Sequence, residues 1–240
     1  MKKLLLLLII AISTLQVTYG QFNAKKFTSD LFILDEYIKR QNKGINFKDT
    51  KSYTGTPYNN ANYLLGSIYK EGKLLAENIA LRYNAIADEM EVKESLTTDD
   101  EDAKVLTKSQ DIFVKIGLDI YVFVPYQGGV EEGGYFQVMY EGTQVDFYKK
   151  HIKDFDEAKK ATSTLTRDIP ASFTDEPVYY LVTKTGKFYQ FPKSRNKKLK
   201  VFGEKEKEMK KWVKANQLDI NLEKDLLRAV KHFETLDAPK

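Results

Sequence analysis

The chain has 240 residues, a formal net charge of +4, two histidines, one tryptophan and no cysteine. The missing cysteines exclude a disulfide framework, a thiolate zinc site and a thiol nucleophile, and two histidines argue against a multi-histidine metal centre. The length suffices for a sizeable core in one domain, and a near-neutral charge argues against a general nucleic-acid binder.

Residues 1–20 read as a cleavable export signal. Lys2 and Lys3 precede an apolar run from Leu4 to Ile12, and Thr18 and Gly20 suit cleavage before Gln21. As a helix that run spans about 14 Å, short of a hydrocarbon core of about 30 Å. Removing it lowers the charge to +2. No cysteine follows for lipoprotein processing, and no later apolar stretch is long enough to span a membrane. The C-terminal third, with polar turns and amphipathic helices, speaks against an outer-membrane barrel. The expected location is the periplasm, the cell surface or the medium.

Residues 21–60 form a mixed lead-in. Ser29-Asp30 is placed to cap a helix through about Gln41, while Leu31 to Leu34 reads equally as a strand, and Gly55-Thr-Pro-Tyr58-Asn-Asn60 is turn chemistry. From 61 to 192 strands follow one another. Asn62–Lys70, with Tyr63, Leu65, Ser67 and Tyr69 on one side, pairs with Lys73–Leu81 across Glu71-Gly72. Ile79, Leu81 and Tyr83 alternate with Ala80, Arg82 and Asn84, and Met90 and Val92 form the apolar side of 89–93. Lys104–Lys108, Asp111–Ile116 and Leu118–Tyr126 read as further strands. Hairpins are predicted around Glu141-Gly142 and around Lys184-Thr-Gly186. This density of strands predicts an antiparallel meander, rolled or curled into an open barrel.

Residues 193–240 form a basic helical tail. Met209, Trp212 and Val213 share a stripe in 204–215, and Leu222, Leu226, Val230, Phe233 and Leu236 share another with Asn221 as N-cap. Helices this short need a docking surface, so the tail is expected to pack on the β domain. The fold class is therefore α+β.

Two charge clusters hide within the near-neutral total. Residues 88–102 carry −7 and residues 193–214 carry +7. In the acidic run, Glu89 and Glu91 share a strand face about 7 Å apart, a spacing used by paired catalytic carboxylates. Lys93 continues that face, which favours a solvated one. Asp99 to Asp102 lack the ligand alternation and central glycine of a calcium loop. In the basic run, Lys197, Lys198, Lys200, Lys207, Lys210, Lys211 and Lys214 are the candidate partner-binding residues. Their spacing repeats like charges at i,i+4, which surface pairing does not fully explain, and a solvated lysine face is the plain alternative. An acidic protein segment, an anionic lipid or an acidic glycan suits them, the chain's own 88–102 segment included.

Gly128, Gly129, Gly133 and Gly134 read as a mobile β-loop rather than a phosphate cradle, because Glu131 and Glu132 repel phosphate. His151 lies near Asp154 and Asp156, and His232 flanks the last helical stripe, with no nucleophile signature to complete a triad. The tyrosines suit a sheet core, or a groove for sugar or lipid.

Gly55-Thr-Pro-Tyr58, Leu81-Arg-Tyr-Asn84, Asp88-Glu-Met-Glu91, Tyr140-Glu-Gly142 and the Tyr179–Val182 strand with Gly186 carry a resemblance over about 55–236. The chain resembles a group of uncharacterised exported proteins of Gram-negative bacteria. That resemblance implies export, a β block and a lysine-rich helical tail, and it assigns no functional residue. The leading expectation is a non-enzymatic envelope or surface interaction module without a cofactor. A carrier of an apolar or glycan ligand in a curved sheet, and a hydrolase using Glu89 and Glu91, are the alternatives.

Overall fold

The computed structural model describes residues 38–40, 53–125, 133–163, 165 and 167–236. The expected signal segment and most of the lead-in lie outside them. Strands β1 (Ile38–Arg40) and β2 (Tyr53–Thr54) are short. Two four-stranded meanders follow: β3 (Leu64–Lys70), β4 (Lys73–Asn84), β5 (Glu89–Lys93) and β6 (Lys104–Leu106), then β7 (Ile112–Ile116), β8 (Asp119–Val124), β9 (Gly134–Glu141) and β10 (Val145–Lys150). After β11 (Lys153–Asp156) and β12 (Ala171–Asp175), β13 (Val178–Thr183) and β14 (Phe188–Gln190) form a final hairpin. The meanders join through β3 and β7, giving an open antiparallel sheet ordered β1-β6-β5-β4-β3-β7-β8-β9-β10-β13-β14.

The sheet curls. In the order β6 and β7 stand four strand spacings apart, about 19 Å if the sheet were flat, yet Leu106 of β6 and Ile112 and Val114 of β7 share one buried cluster. Curling draws those strands together and encloses one face. Inside lie Ile68, Leu81, Met90, Leu106, Val114 and Tyr121, all fully or nearly fully buried in one cluster. At the tip between β3 and β4, Glu71 and Gly72 take successive positive φ of 49° and 77°, the twist-matched hairpin turn expected there. Along β4, Asn78 (φ 57°) is an extra residue between the Glu77–Ser67 and Ile79–Gly66 pairs, a bulge that keeps Ile79, Leu81 and Tyr83 facing inward. The predicted Leu65–Tyr69 side faces outward. Leu65 is 49% exposed while Ile68 is fully buried, because Ile68 opposes Val114 across the meander junction.

The same sheet face continues into the second half, where helices cover it. Phe147 and Leu181, paired across β10 and β13, pack with Phe202, Met209, Val213, Leu226 and Val230. These come from α1 (Arg195–Lys198), the 3₁₀ stretch Leu199–Lys205, α2 (Glu206–Ala215) and α3 (Glu223–Leu236). Burial of large apolar side chains, at about 1.5–3 kcal/mol each, holds the tail on the β domain. Asn221 is not the N-cap of α3, which begins two residues later; its Oδ1 instead accepts from Lys198 Nζ at 3.1 Å. Leu222 is correspondingly half exposed. A small sheet, β11-β12-β2, contains a parallel β12–β2 pair that the sequence pattern did not indicate, packed through Tyr53, Phe155 and Phe173.

One carboxylate ties helix to hairpin. Glu234, buried in α3, accepts from the Thr143 backbone N–H (2.5 Å), Thr143 Oγ1 (2.6 Å), the Gln144 N–H (2.8 Å) and the Val145 N–H (3.1 Å). Gly142 is required beside it, since a Cβ there would lie 2.4 Å from the Val145 carbonyl oxygen and 2.8 Å from the Glu234 carboxylate. Burial disfavours the Glu234 anion, but the donated hydrogen bonds win and its pKa falls below the usual value. Its stabilisation is therefore complete above the unfolded glutamate pKa and is lost as pH falls through the depressed folded value. Glu234→Ala is expected to cost about 2–3 kcal/mol in urea unfolding at neutral pH, with the difference from wild type shrinking in acid.

Candidate functional site

On α2 the apolar side chains Met209 and Val213 point into the core. Their spacing forces Lys207, Lys210, Lys211 and Lys214 onto the opposite side, within an arc of about 100° and a length of about 10 Å. All four are exposed, as are Lys197 on α1 and Lys200 just after it. None of these six makes an ion pair among the described residues. Four like-charge contacts at i,i+3 and i,i+4 cost α2 about 1–2 kcal/mol. Favourable placement of the later lysines near the helix C-terminus offsets part of this, at about 0.3–1 kcal/mol each.

Lys198 departs from the expected group. It is 8% exposed, and its Nζ donates to the Ile220 carbonyl (3.2 Å) and to Asn221. Burial lowers its pKa against the pull of Asp219. It pins the 218–221 segment and is not presented to a partner. That segment and α1 enclose, with α2, a groove of about 500 Å³. Leu199, Val213, Leu218 and Ile220 form its floor, and Arg195, Lys210 and Lys214 bring positive charge to its rim. Sequence reasoning missed the groove, including Arg195, Asn196, Glu206, Gln217 and Asp219, because the 216–221 segment folds back only in three dimensions.

Three carboxylates of the acidic run, Asp88, Glu91 and Asp100, are paired within their own half of the molecule, while Glu94, Asp99, Glu101 and Asp102 are exposed. Glu91 is 1% exposed on the outward face of β5, where it meets Arg82 on β4. Arg82 Nε and Nη2 donate to Glu91 Oε2 at 3.0 and 2.8 Å, and Tyr63 OH donates to the same oxygen at 2.7 Å. The guanidinium lies between two rings, 3.6 Å from the Tyr58 centroid and 4.0 Å from that of Tyr63. Burial and the Glu91 charge push the Tyr63 phenol far above its usual pKa. Lys93, also buried, donates to Asp100 Oδ1 at 2.7 Å, which holds the Asp100 carboxyl below its usual range. Asp88 accepts from Lys108, Tyr83 OH and the Tyr135 N–H. The expected solvated face of Glu89, Glu91 and Lys93 is thus a buried ion network at Glu91 and Lys93. Glu91 holds Arg82 and does not form a reactive pair with Glu89.

His151 is buried where the curled half meets the helix-covered half. Gln137 Nε2 donates to Asp119 Oδ1 at 2.8 Å, so its Oε1 faces His151 Nε2 at 2.7 Å and makes that nitrogen the donor. Asp154 and Asp156 are exposed on β11 and do not complete a triad with it. Burial, reinforced by Lys149, lowers the imidazole pKa to about 4. It borders a cleft of about 390 Å³ whose charged walls are already paired: Lys150 donates to the Gly133 carbonyl, and Lys153 bridges Asp175. His232 stacks on Trp212 at 4.0 Å between α3 and α2.

Of the predicted glycine loop, Gly128 and Gly129 lie outside the described residues. The Gly133 carbonyl accepts from Lys150, and Gly134 begins β9, buried against the Asp88 carboxylate. No helix among the described residues is long and apolar enough to cross a membrane, and no cluster of three or more His, Asp or Glu among them is placed to hold a metal ion. Compared with protein-family models, curated proteins and solved structures, the chain matches none.

Two measurements test these assignments. Glu91→Ala leaves the Arg82 guanidinium buried without its counter-charge, and urea unfolding should show a loss of about 3–5 kcal/mol. The His151 ring should titrate by NMR near pH 4. Because the unfolded chain binds that proton first, His151 should weaken the fold progressively as pH drops from about 6.5 through its folded value.

Proposed function

We propose that this chain is an exported, non-enzymatic interaction module that binds an acidic partner on the lysine-rich surface of its helical tail. One observation carries this reading: Lys197, Lys200, Lys207, Lys210, Lys211 and Lys214 are exposed and lack ion-pair partners among the described residues. No acid among the described residues pairs with these lysines, and three of the acidic run are engaged in their own half of the molecule. Asp88, Glu91 and Asp100 hold Lys108, Arg82 and Lys93, in and beside β4 and β5, which four and five strands separate from β10 in the sheet order. A complement from outside the chain is the source of negative charge this reading assigns to them.

The carrier alternative draws little from the curled sheet, whose enclosed face is filled by Ile68, Leu81, Met90 and Val114. The hydrolase alternative loses Glu91 to Arg82. Export rests on the leader pattern at 1–20 and on the family resemblance.

Binding to immobilised polyanions at low salt tests the reading. Wild type should be retained and should elute as salt rises past the screening range of exposed charges. Lys207→Glu/Lys211→Glu, which leaves the apolar side of α2 intact, should lower affinity at least about tenfold. Failure of wild type to bind any polyanion at low salt would make the stripe a solubilising surface and overturn the proposal.

A further inference from the structure

We infer that the acidic partner is a polysaccharide bearing carboxylates, and that the groove beside α2 takes one of its uronate rings. This rests on the reading of the lysine stripe given above and adds the identity of the ligand. The groove volume of about 500 Å³ is that of a small-molecule site and is open along one side to the stripe. Lys210 and Lys214 belong to both, so a chain lying along α2 passes from the stripe into the groove.

The rim chemistry selects among polyanions. Arg195, Lys210 and Lys214 call for anionic groups, carboxylate and phosphate alike, so the other rim residues must discriminate. Glu206 and Asp219 stand on the same rim. Asp219 already accepts from the Asn221 N–H at 3.1 Å and lies 3.9 Å from Arg195 Nε. Glu206 is partly exposed and has no partner among the described residues. A carboxylate on a cationic rim repels a ligand that offers only phosphates, as polyphosphate does. It accepts hydrogen bonds from a ligand that carries hydroxyls beside its anionic group. Asn196 and Gln217 add amides that both donate and accept, which suits hydroxyl groups again. Below them, Leu199, Val213, Leu218 and Ile220, with the lysine stems, offer an apolar floor to the C–H face of a ring. Anion, hydroxyl and C–H face occur together on a hexuronate unit.

The test compares three probes with the intact chain at one low salt concentration: an oligogalacturonate, polyphosphate of similar charge, and phosphatidylcholine–phosphatidylglycerol vesicles. The oligogalacturonate should bind at least about tenfold more tightly than polyphosphate. Asn196→Ala/Gln217→Ala changes no charge, and its thermal unfolding serves as the folding control. It should lower oligogalacturonate affinity about tenfold and leave polyphosphate affinity unchanged. Equal affinity for the two polyanions, or no effect of the double variant on oligogalacturonate, overturns the groove assignment while the stripe reading stands. Preference for the vesicles overturns it in favour of a lipid surface. Absence of binding to every probe overturns both.

Discussion

The Arg82–Glu91 pair is the interaction on which the curled half depends. A guanidinium and a carboxylate removed from water cost several kcal/mol each unless their geometry and remaining hydrogen bonds are satisfied. Here Tyr63 OH supplies a third bond to the carboxylate, Tyr58 and Tyr63 sandwich the guanidinium, and Ala61 contributes a carbonyl acceptor at 3.3 Å. The pair thereby fastens the 57–63 segment over the outward face of β4 and β5. Backbone bonds from Asn59 N to Tyr83 O and from Ala85 N to Pro57 O seal the same junction at 3.0 Å. Asn84 closes the following turn, its Oδ1 accepting from Ile86 N and Ala87 N. The Pro57-Tyr58 turn, Arg82, Asn84, Asp88 and Glu91, scattered over the sequence, are one folding unit. Their chemistry is that of a buried polar joint, which explains why residues with a catalytic look belong to the frame.

That joint also determines the electrostatics of the whole molecule. Asp88, Glu91 and Asp100 neutralise cations from β4, β5 and the β6–β7 link, so these members of the acidic run contribute local structure, while Glu94, Asp99, Glu101 and Asp102 face water. The basic run has no equivalent arrangement. Its core side is occupied by Met209, Val213 and Leu199, and one of its lysines, Lys198, is buried to hold a loop. Lys197, Lys200, Lys207, Lys210, Lys211 and Lys214 stand in water without ion-pair partners among the described residues. Of the two clusters of opposite sign in the sequence, the acidic one is thus partly an internal network and the basic one mainly an outward-facing surface.

Local rules carried much of the fold. The β3–β4 hairpin with its Glu71-Gly72 turn, the inward Met90 and Val92, the β9–β10 and β13–β14 hairpins and the apolar stripe of α2 all follow from periodicity and turn chemistry. Where local patterns failed, a distant contact had intervened. Ile68 rather than Leu65 is buried because β7 lies alongside β3, and the parallel β2–β12 pair joins segments more than a hundred residues apart. Asn221 lost its capping role to a lysine from α1. Of the seven candidate lysines, the six that remain exposed were legible from charge and helical spacing, since a lysine opposite an apolar stripe faces water. Lys198 was not, because its neighbours Ile220 and Asn221 arrive through a turn.

The sequence by itself therefore determined the α+β class, the order of the hairpins, the lysine stripe of α2 and the absence of any thiol chemistry. These depend on residue type and on periods of two or about 3.6, which act over a few neighbours. Only the tertiary structure decided that Glu91 is a buried partner of Arg82, that His151 is a neutral imidazole held by Gln137, and that α1, α2 and the 216–221 segment enclose a groove. Those outcomes depend on which distant groups share one low-dielectric space. Solvation and pairing of a charge belong to that shared space and not to its position in the chain.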